Sequence, residues 1–284
     1  MSQRKFSFAA DTWRRLKKNK LALVGLVILI ALISCALFAN VLAPYSYAKQ
    51  ELKNSFKAPS WSHPFGTDEY GRDILSRCIY GARISLVVGF IAVGISIVVG
   101  VVFGSIAGYF GHLTDNVIMR AMDVLMAIPQ MLLAIAIAAA LGPGLFNLMI
   151  AVGIANTPSY ARLVRASVLS IKDHEFIEAA RAIGTNDFMI IVKHVLPNCV
   201  APIIVQATVG VALAILTAAS LSFIGLGIQP PEPEWGSMLS SGRYYIRDNW
   251  NMTLFPGLAI AITIFSLNVL GDGLRDALDP KLRD

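Results

Sequence analysis

Residues 178–198, EAARAIGTNDFMIIVKHVLPN, form a polar interruption between two long apolar segments. The pattern predicts a helix, a break and a second helix. Asp173 is placed to cap the first helix, and Glu175 falls in its first turn, where the helix dipole favours negative charge. Phe176, Ala180 and Ile183 recur at i, i+4 and i+7 as an apolar stripe. Gly184 suits the left-handed residue that ends such a helix. Thr185 or Asn186 can cap the second helix, in which Phe188, Ile191, Val192 and Val195 make one face. Pro197 bends or ends it before the next apolar segment.

The flanking sequence says what this hairpin interrupts. Of 284 residues, 56% are hydrophobic and 15% charged, and the mean hydropathy is +0.63. So little charge could hardly cover a globular surface. Several charge-free runs exceed the roughly 20 residues that cross a bilayer. The fold class is therefore an all-α polytopic membrane protein. Three cysteines, Cys35, Cys78 and Cys199, are scattered without a CxxC pair, which gives neither a disulfide framework nor a zinc site.

Six spans are expected. Residues 1–20 carry seven basic side chains against Asp11, and 21–43 follow without a charge, too long for the apolar core of a signal peptide (about 7–15 residues). Residues 44–83 form a polar loop. The second span covers 84–110 and is rich in glycine; the third starts near Val117 and is kinked at Pro129. The uncharged run 124–161 holds two spans, with Gly142-Pro143-Gly144 as the turn. The hairpin 173–198 comes next, then spans at 200–227 and about 253–270, so that 84–272 form a five-helix core and 273–284 a tail. With six spans both termini share a side. That side has 16 Lys and Arg against 8 opposite, which places termini and hairpin in the cytoplasm. The net charge of +6 is thus topological, and nucleic acid is not an expected partner.

The absences narrow the function. No charged residue lies near the middle of a predicted span, which disfavours an ion-coupled carrier. Arg120 and Asp123, three residues apart, are expected to pair locally. There is no Gly-x4-Gly-Lys-Ser/Thr phosphate loop, and the four histidines are isolated in loops or at helix ends, so no catalytic, metal or cofactor site is expected.

The hairpin resembles the cytoplasmic signature of ABC importer membrane subunits: Glu-Ala-Ala, three residues, Gly, nine residues, Ile, one residue, Leu-Pro. Glu178, Ala179, Ala180, Gly184, Leu196 and Pro197 match at that spacing, and His194 stands where the pattern has Ile. FGTDEYGRDILSRCIYGARISL, LSFIGLGIQPPEPEWGSML and GDGLRDALDPKLR look like the second (C-type) permease subunit of dipeptide, oligopeptide and nickel importers. The resemblance runs over nearly the whole chain and implies a type I ABC importer permease in a bacterial or archaeal plasma (inner) membrane. It implies as partners a second homologous permease, two ATPase subunits that carry the ATP and Mg, and an extracytoplasmic binding protein. This chain would carry no cofactor and no catalysis. Phe176, Glu178, Ala179, Ala180, Arg181, Gly184, Leu196 and Pro197 would couple it to the ATPases. The cargo implied is a di- or oligopeptide, with nickel chelates or oligosaccharides as the alternative. For the loop 44–83 two readings stand. Either Asp73–Tyr80 is an interfacial amphipathic helix with Ile74, Leu75, Cys78 and Ile79 towards lipid, or Trp61, Tyr70 and Arg72 meet the binding protein.

Overall fold

A computed structural model describes residues 8–278, and among these the chain is helical, with one isolated bridge between Thr67 and Asp73. A short helix α1 (Phe8–Leu16) precedes α2 (Lys20–Leu37), which Asn19 caps by accepting from the Ala22 N–H at 3.1 Å. After a one-turn α3 (Ala39–Leu42) and the loop 44–73 comes α4 (Ile74–Phe110). It begins ten residues earlier than the hydropathy indicates, because Asp73 caps it by accepting from the Ser76 N–H at 2.8 Å. The two turns after Asp73 are therefore the start of a long helix and not an interfacial element. Ile74 and Cys78 are buried in protein and do not face lipid.

The third span is broken, not merely kinked. Helices α5 (His112–Ala127) and α6 (Gln130–Leu141) meet at about 90° around Ile128-Pro129. Proline forces its predecessor into extended backbone, and Ile128 has ψ 129°. Helix α7 (Leu145–Leu169) follows the Gly142-Pro143-Gly144 turn and continues past Arg162 and Arg165. After the hairpin, α10 (Leu196–Phe223) leads to a short helix α11 (Trp235–Gly242) and then to α12 (Asn251–Leu278). Among the described residues four helical stretches are long and apolar enough to cross a membrane, starting at Lys20, Ile74, Asp187 and Asn251, and the bent α5–α6 pair counts as a fifth where it is taken as one span.

Helix α7 falls outside that apolar set although it lies at the centre of the bundle. Its polar side chains are satisfied inside protein. Gln130 Nε2 donates to Asn156 Oδ1 at 2.6 Å, Asn156 Nδ2 to Val152 O at 3.1 Å and Thr157 Oγ1 to Gly153 O at 3.0 Å. A helix sheathed by protein has no need of a lipid-soluble surface. It packs in parallel along α4, where Gly100, Gly104 and Gly108 form a ridge without side chains. A Cβ on Gly100 would sit 2.5 Å from Tyr160 Cβ, one on Gly104 would overlap the Ala161 carbonyl, and one on Gly108 would sit 2.8 Å from Val168 Cβ. The backbones touch because nothing stands between them.

Two contacts fix which end is which. Arg83 Nε donates to Ala36 O at 2.9 Å, so α4 starts beside the end of α2. At its far end, Tyr109 OH donates to Asp187 Oδ1 at 2.6 Å, which puts the hairpin on the side where α2 begins. Loop 44–73 and α11 lie at the opposite end.

Candidate coupling site

The hairpin consists of α8 (Glu175–Ala182) and α9 (Asp187–Ile190), the latter running through a π turn, Ile191–Val195, into α10. His174, not Asp173, holds the N-cap position of α8, and no side chain caps it. The C-terminus is closed as expected. Gly184 has φ +83°; its N–H donates to Arg181 O at 3.0 Å and the Thr185 N–H to Ala180 O at 3.1 Å, a Schellman closure. Asn186 starts the next helix by accepting from the Met189 N–H at 2.8 Å. Pro197 does not end it. The π turn, in which the Leu196 N–H reaches back five residues to Ile191 O, absorbs the missing proline donor, and the helix runs on to Phe223.

The expected apolar stripe divides into two faces. Ile177 and Ala180 turn inward and join Ile190, Ile191, Val195 and Cys199 in a small core against Tyr109 of α4 and Val164 and Val168 of α7. Phe176, Ile183 and Phe188 face outward, with Ile183 82% and Phe188 72% exposed. Glu178, Ala179, Arg181 and Pro197 are exposed with them, Leu196 is half-buried and Ala180 is buried. The π turn likewise splits the second helix: Ile191 and Val195 point in, Val192 out. Sequence periodicity missed Ile177, and it could not find Tyr109 and Asp187. Arg181 places its guanidinium 5.4 Å from the Tyr109 ring centre while Asp187 accepts from the Tyr109 hydroxyl, so one side chain at the end of α4 holds both halves of the hairpin.

Next to the hairpin, Arg165 is bidentate to Asp115 and Arg162 meets Asp123 at 2.7 Å. These pairs tie α5 to α7. Asp123 thus meets a residue 39 positions away and not its expected neighbour Arg120.

At the other end, the loop is folded around charge. Arg72 Nε pairs with Asp68 Oδ2 at 2.6 Å, and His63 Nδ1 lies 2.9 Å from Asp73 Oδ1. Arg77 donates to the carbonyls of Tyr47 at 3.0 Å and Pro231 at 3.3 Å, bracing the loop to the segment before α11. Trp235 is buried with Nε1 donating to Cys78 O at 3.0 Å, and Phe65 stacks on Phe255 at 3.8 Å. Glu234 caps α11 by accepting from the N–H groups of Gly236 and Ser237, both at 2.8 Å, and burial pushes its carboxyl above the usual range. Burial also pushes Glu69 up. Of the three residues expected to meet a binding protein, Trp61 is fully exposed and Tyr70 is 44% exposed. Arg72 is buried at 4%, its guanidinium 4.6 Å from the Tyr70 ring centre, and is spent on Asp68. It offers no surface to a partner.

Residues 100–284 match the family described as binding-protein-dependent transport system inner membrane component. The chain belongs to that family. Residues 7–59 also match the N-terminal transmembrane domain of oligopeptide transport permease C. A dipeptide transport system permease protein of Alkalihalophilus pseudofirmus is 51% identical over 96% of this chain and 90% of that protein. A di/tripeptide permease of Pseudomonas aeruginosa is 46% identical over 96% and 92%, and a glutathione transport system permease of Escherichia coli 46% over 96% and 90%. In fold, the chain is similar to the inward-facing MetNI methionine ABC transporter, with a TM-score of 0.57 over 72% of this chain and 98% of that one at 18% identity. The chain is a transport permease subunit of the ABC importer type and not an enzyme.

Proposed function

We propose that this permease forms half of the translocation path of an ATP-driven importer of di- and oligopeptides in the bacterial or archaeal plasma membrane. It pairs with a second, homologous permease. Two ATPase subunits supply ATP and Mg chemistry, and an extracytoplasmic binding protein delivers the cargo. What supports peptides as cargo is that the relatives at 51% and 46% identity over nearly the whole chain carry dipeptide and di/tripeptide transport in their names.

The observation that carries the coupling reading is the outward face of the hairpin. Phe176, Ile183 and Phe188 lie exposed on a segment whose other face is fully packed. Ile183 and Phe188 would each gain about 1.5–3 kcal/mol on burial in a groove, and Phe176, 42% exposed, about half of that, which suits a protein partner. Glu178 and Arg181 orient the hairpin at the rim of that groove, Ala179 lets the helix approach closely, and Ala180 anchors it inward. Gly184 sets the turn, while Leu196 and Pro197 carry the displacement through the π turn into α10. Closure of the ATPase pair then rocks the bundle between inward- and outward-facing states. The six-span reading takes α7 as a protein-sheathed crossing beside α4. Trp61 and Tyr70 are the surface offered to the binding protein.

Uptake of radiolabelled dipeptide tests the coupling role. Glu178→Lys and Gly184→Trp should each abolish uptake while the protein stays in the membrane at normal level. Normal uptake by either variant would overturn it.

A further inference from the structure

A second feature lies at the hairpin end of the bundle. Between α1 and the end of α12, Arg14, Arg15, Lys18, Asn19, Lys20 and Leu21 line an open cavity of about 670 Å³ closed by Gly273, Asp276 and Ala277. Among the described residues the lining carries four basic side chains and one carboxylate, Asp276. Its position is fixed by packing. Leu16 is buried, and a Cβ on Gly273 would meet its Cδ1 at 3.2 Å, so α1 is pressed onto α12 and cannot swing away freely.

The chemistry of the walls changes along the cavity. On one side stand the cations; on the other is Leu21, 66% exposed, which opens the outward apolar surface of α2 continued by Val24 and Val27. Trp13 is 45% exposed on α1, with Lys17 Nζ 5.1 Å from its ring centre. Tryptophan and basic side chains at one level mark the boundary between headgroups and acyl chains. A ligand seated here meets several cations at its head and an apolar helix face along its tail.

We infer that this cavity binds the headgroup of an anionic phospholipid. The phosphate sits among Arg14, Arg15 and Lys18, and the acyl chains run along Leu21 and Val24 of α2. Basic pockets between transmembrane helices on the cytoplasmic side take such headgroups. Asp276 opposes binding and selects against a bare dianion of high charge.

The test is native mass spectrometry of the full-length chain in its purified, delipidated complex. It is titrated with phosphatidylglycerol, with phosphatidylcholine and with inorganic phosphate. Phosphatidylglycerol should be retained, phosphatidylcholine at least about tenfold less, and phosphate alone not at all. Replacing Arg14, Arg15 and Lys18 together with Gln should weaken phosphatidylglycerol binding by about tenfold or more, as a few basic residues near a membrane surface contribute. Replacing Arg120, Lys172 and Lys193 with Gln removes equal charge outside the lining and should leave binding within about twofold. Asp276→Asn should tighten it. Equal loss in the two triple variants, retention of free phosphate, or equal binding of the two lipids would each overturn the site. Because the readout is lipid retention, it stands or falls separately from peptide transport.

Discussion

Gly184 carries the turn of the hairpin by conformation alone. Its φ of +83° is a region L side chains avoid, yet nothing lies within 4 Å of where a Cβ would stand. Gly184→Ala should therefore cost about 1–2 kcal/mol of local stability through the backbone, and Gly184→Asn less, since asparagine tolerates that region. Amide exchange across residues 175–190 checks the order. Tyr109→Phe should also raise exchange there, by about tenfold, as the bond to Asp187 is worth on the order of 1.5 kcal/mol. Gly184 and the Asn186 cap were legible in the sequence because both are local features. Tyr109 was not, because it lies 78 residues from Asp187 and only the parallel α4–α7 packing brings it there. Arg72 was misread for a related reason: a charged residue in a loop reads as surface until its partner Asp68 is seen. At the end opposite the hairpin, Glu234→Ala should destabilise the complex by about 1–2 kcal/mol, as it leaves two helix N–H groups without a cap. The pH sign follows from burial. The folded carboxyl titrates above the unfolded one, so stability falls as pH rises from the unfolded value through the raised folded one. Glu234→Gln should flatten that slope in melting curves, and Glu69, shifted the same way, accounts for a remainder.

At the scale of elements, contact between helices replaces side-chain volume. Gly104 faces the Ala161 carbonyl, so Gly104→Val must separate α4 from α7 and should cost about 3 kcal/mol, the upper range of overpacking. Gly94, ten residues earlier on the same helix, has nothing within 4 Å, and Gly94→Ala should be tolerated. Thermal unfolding of both variants in detergent separates the two cases. Charge-free length locates α7 within 124–161 although Asn156 and Thr157, bonded within the bundle, lower its hydropathy, whereas the first turns of α4 read as loop because Arg77 and Ser76 are buried there. Loop 44–73 is likewise an element, not a connector. The Glu51 N–H donates to Tyr70 O and the Thr67 N–H to Lys57 O, so removing residues 50–62 would unravel the Asp68–Asp73 turn. The sharper probe of binding-protein contact is Trp61→Ala, which should lower binding-protein-stimulated ATP turnover severalfold without shifting the melting point.

For the molecule as a whole, the two ends have different characters. The end that holds loop 44–73 and α11 is locked by buried charge pairs, aromatic stacking and the Trp235 anchor. The hairpin end presents an apolar face on a small separate core attached to α4 and α7. A push on the hairpin is therefore delivered to both central helices and, through the π turn, to α10. The central claim is that this face seats an ATPase subunit, and copurification tests it most directly. The tagged chain should bring down a second permease and phosphate-loop ATPases with ATP turnover. Phe176→Asp combined with Ile183→Asp should reduce the recovered ATPase at least about tenfold, while the chain's membrane level and its pairing with the second permease persist. Undiminished ATPase recovery and turnover with the double variant, or a wild-type chain that brings down no ATPase, would contradict the account.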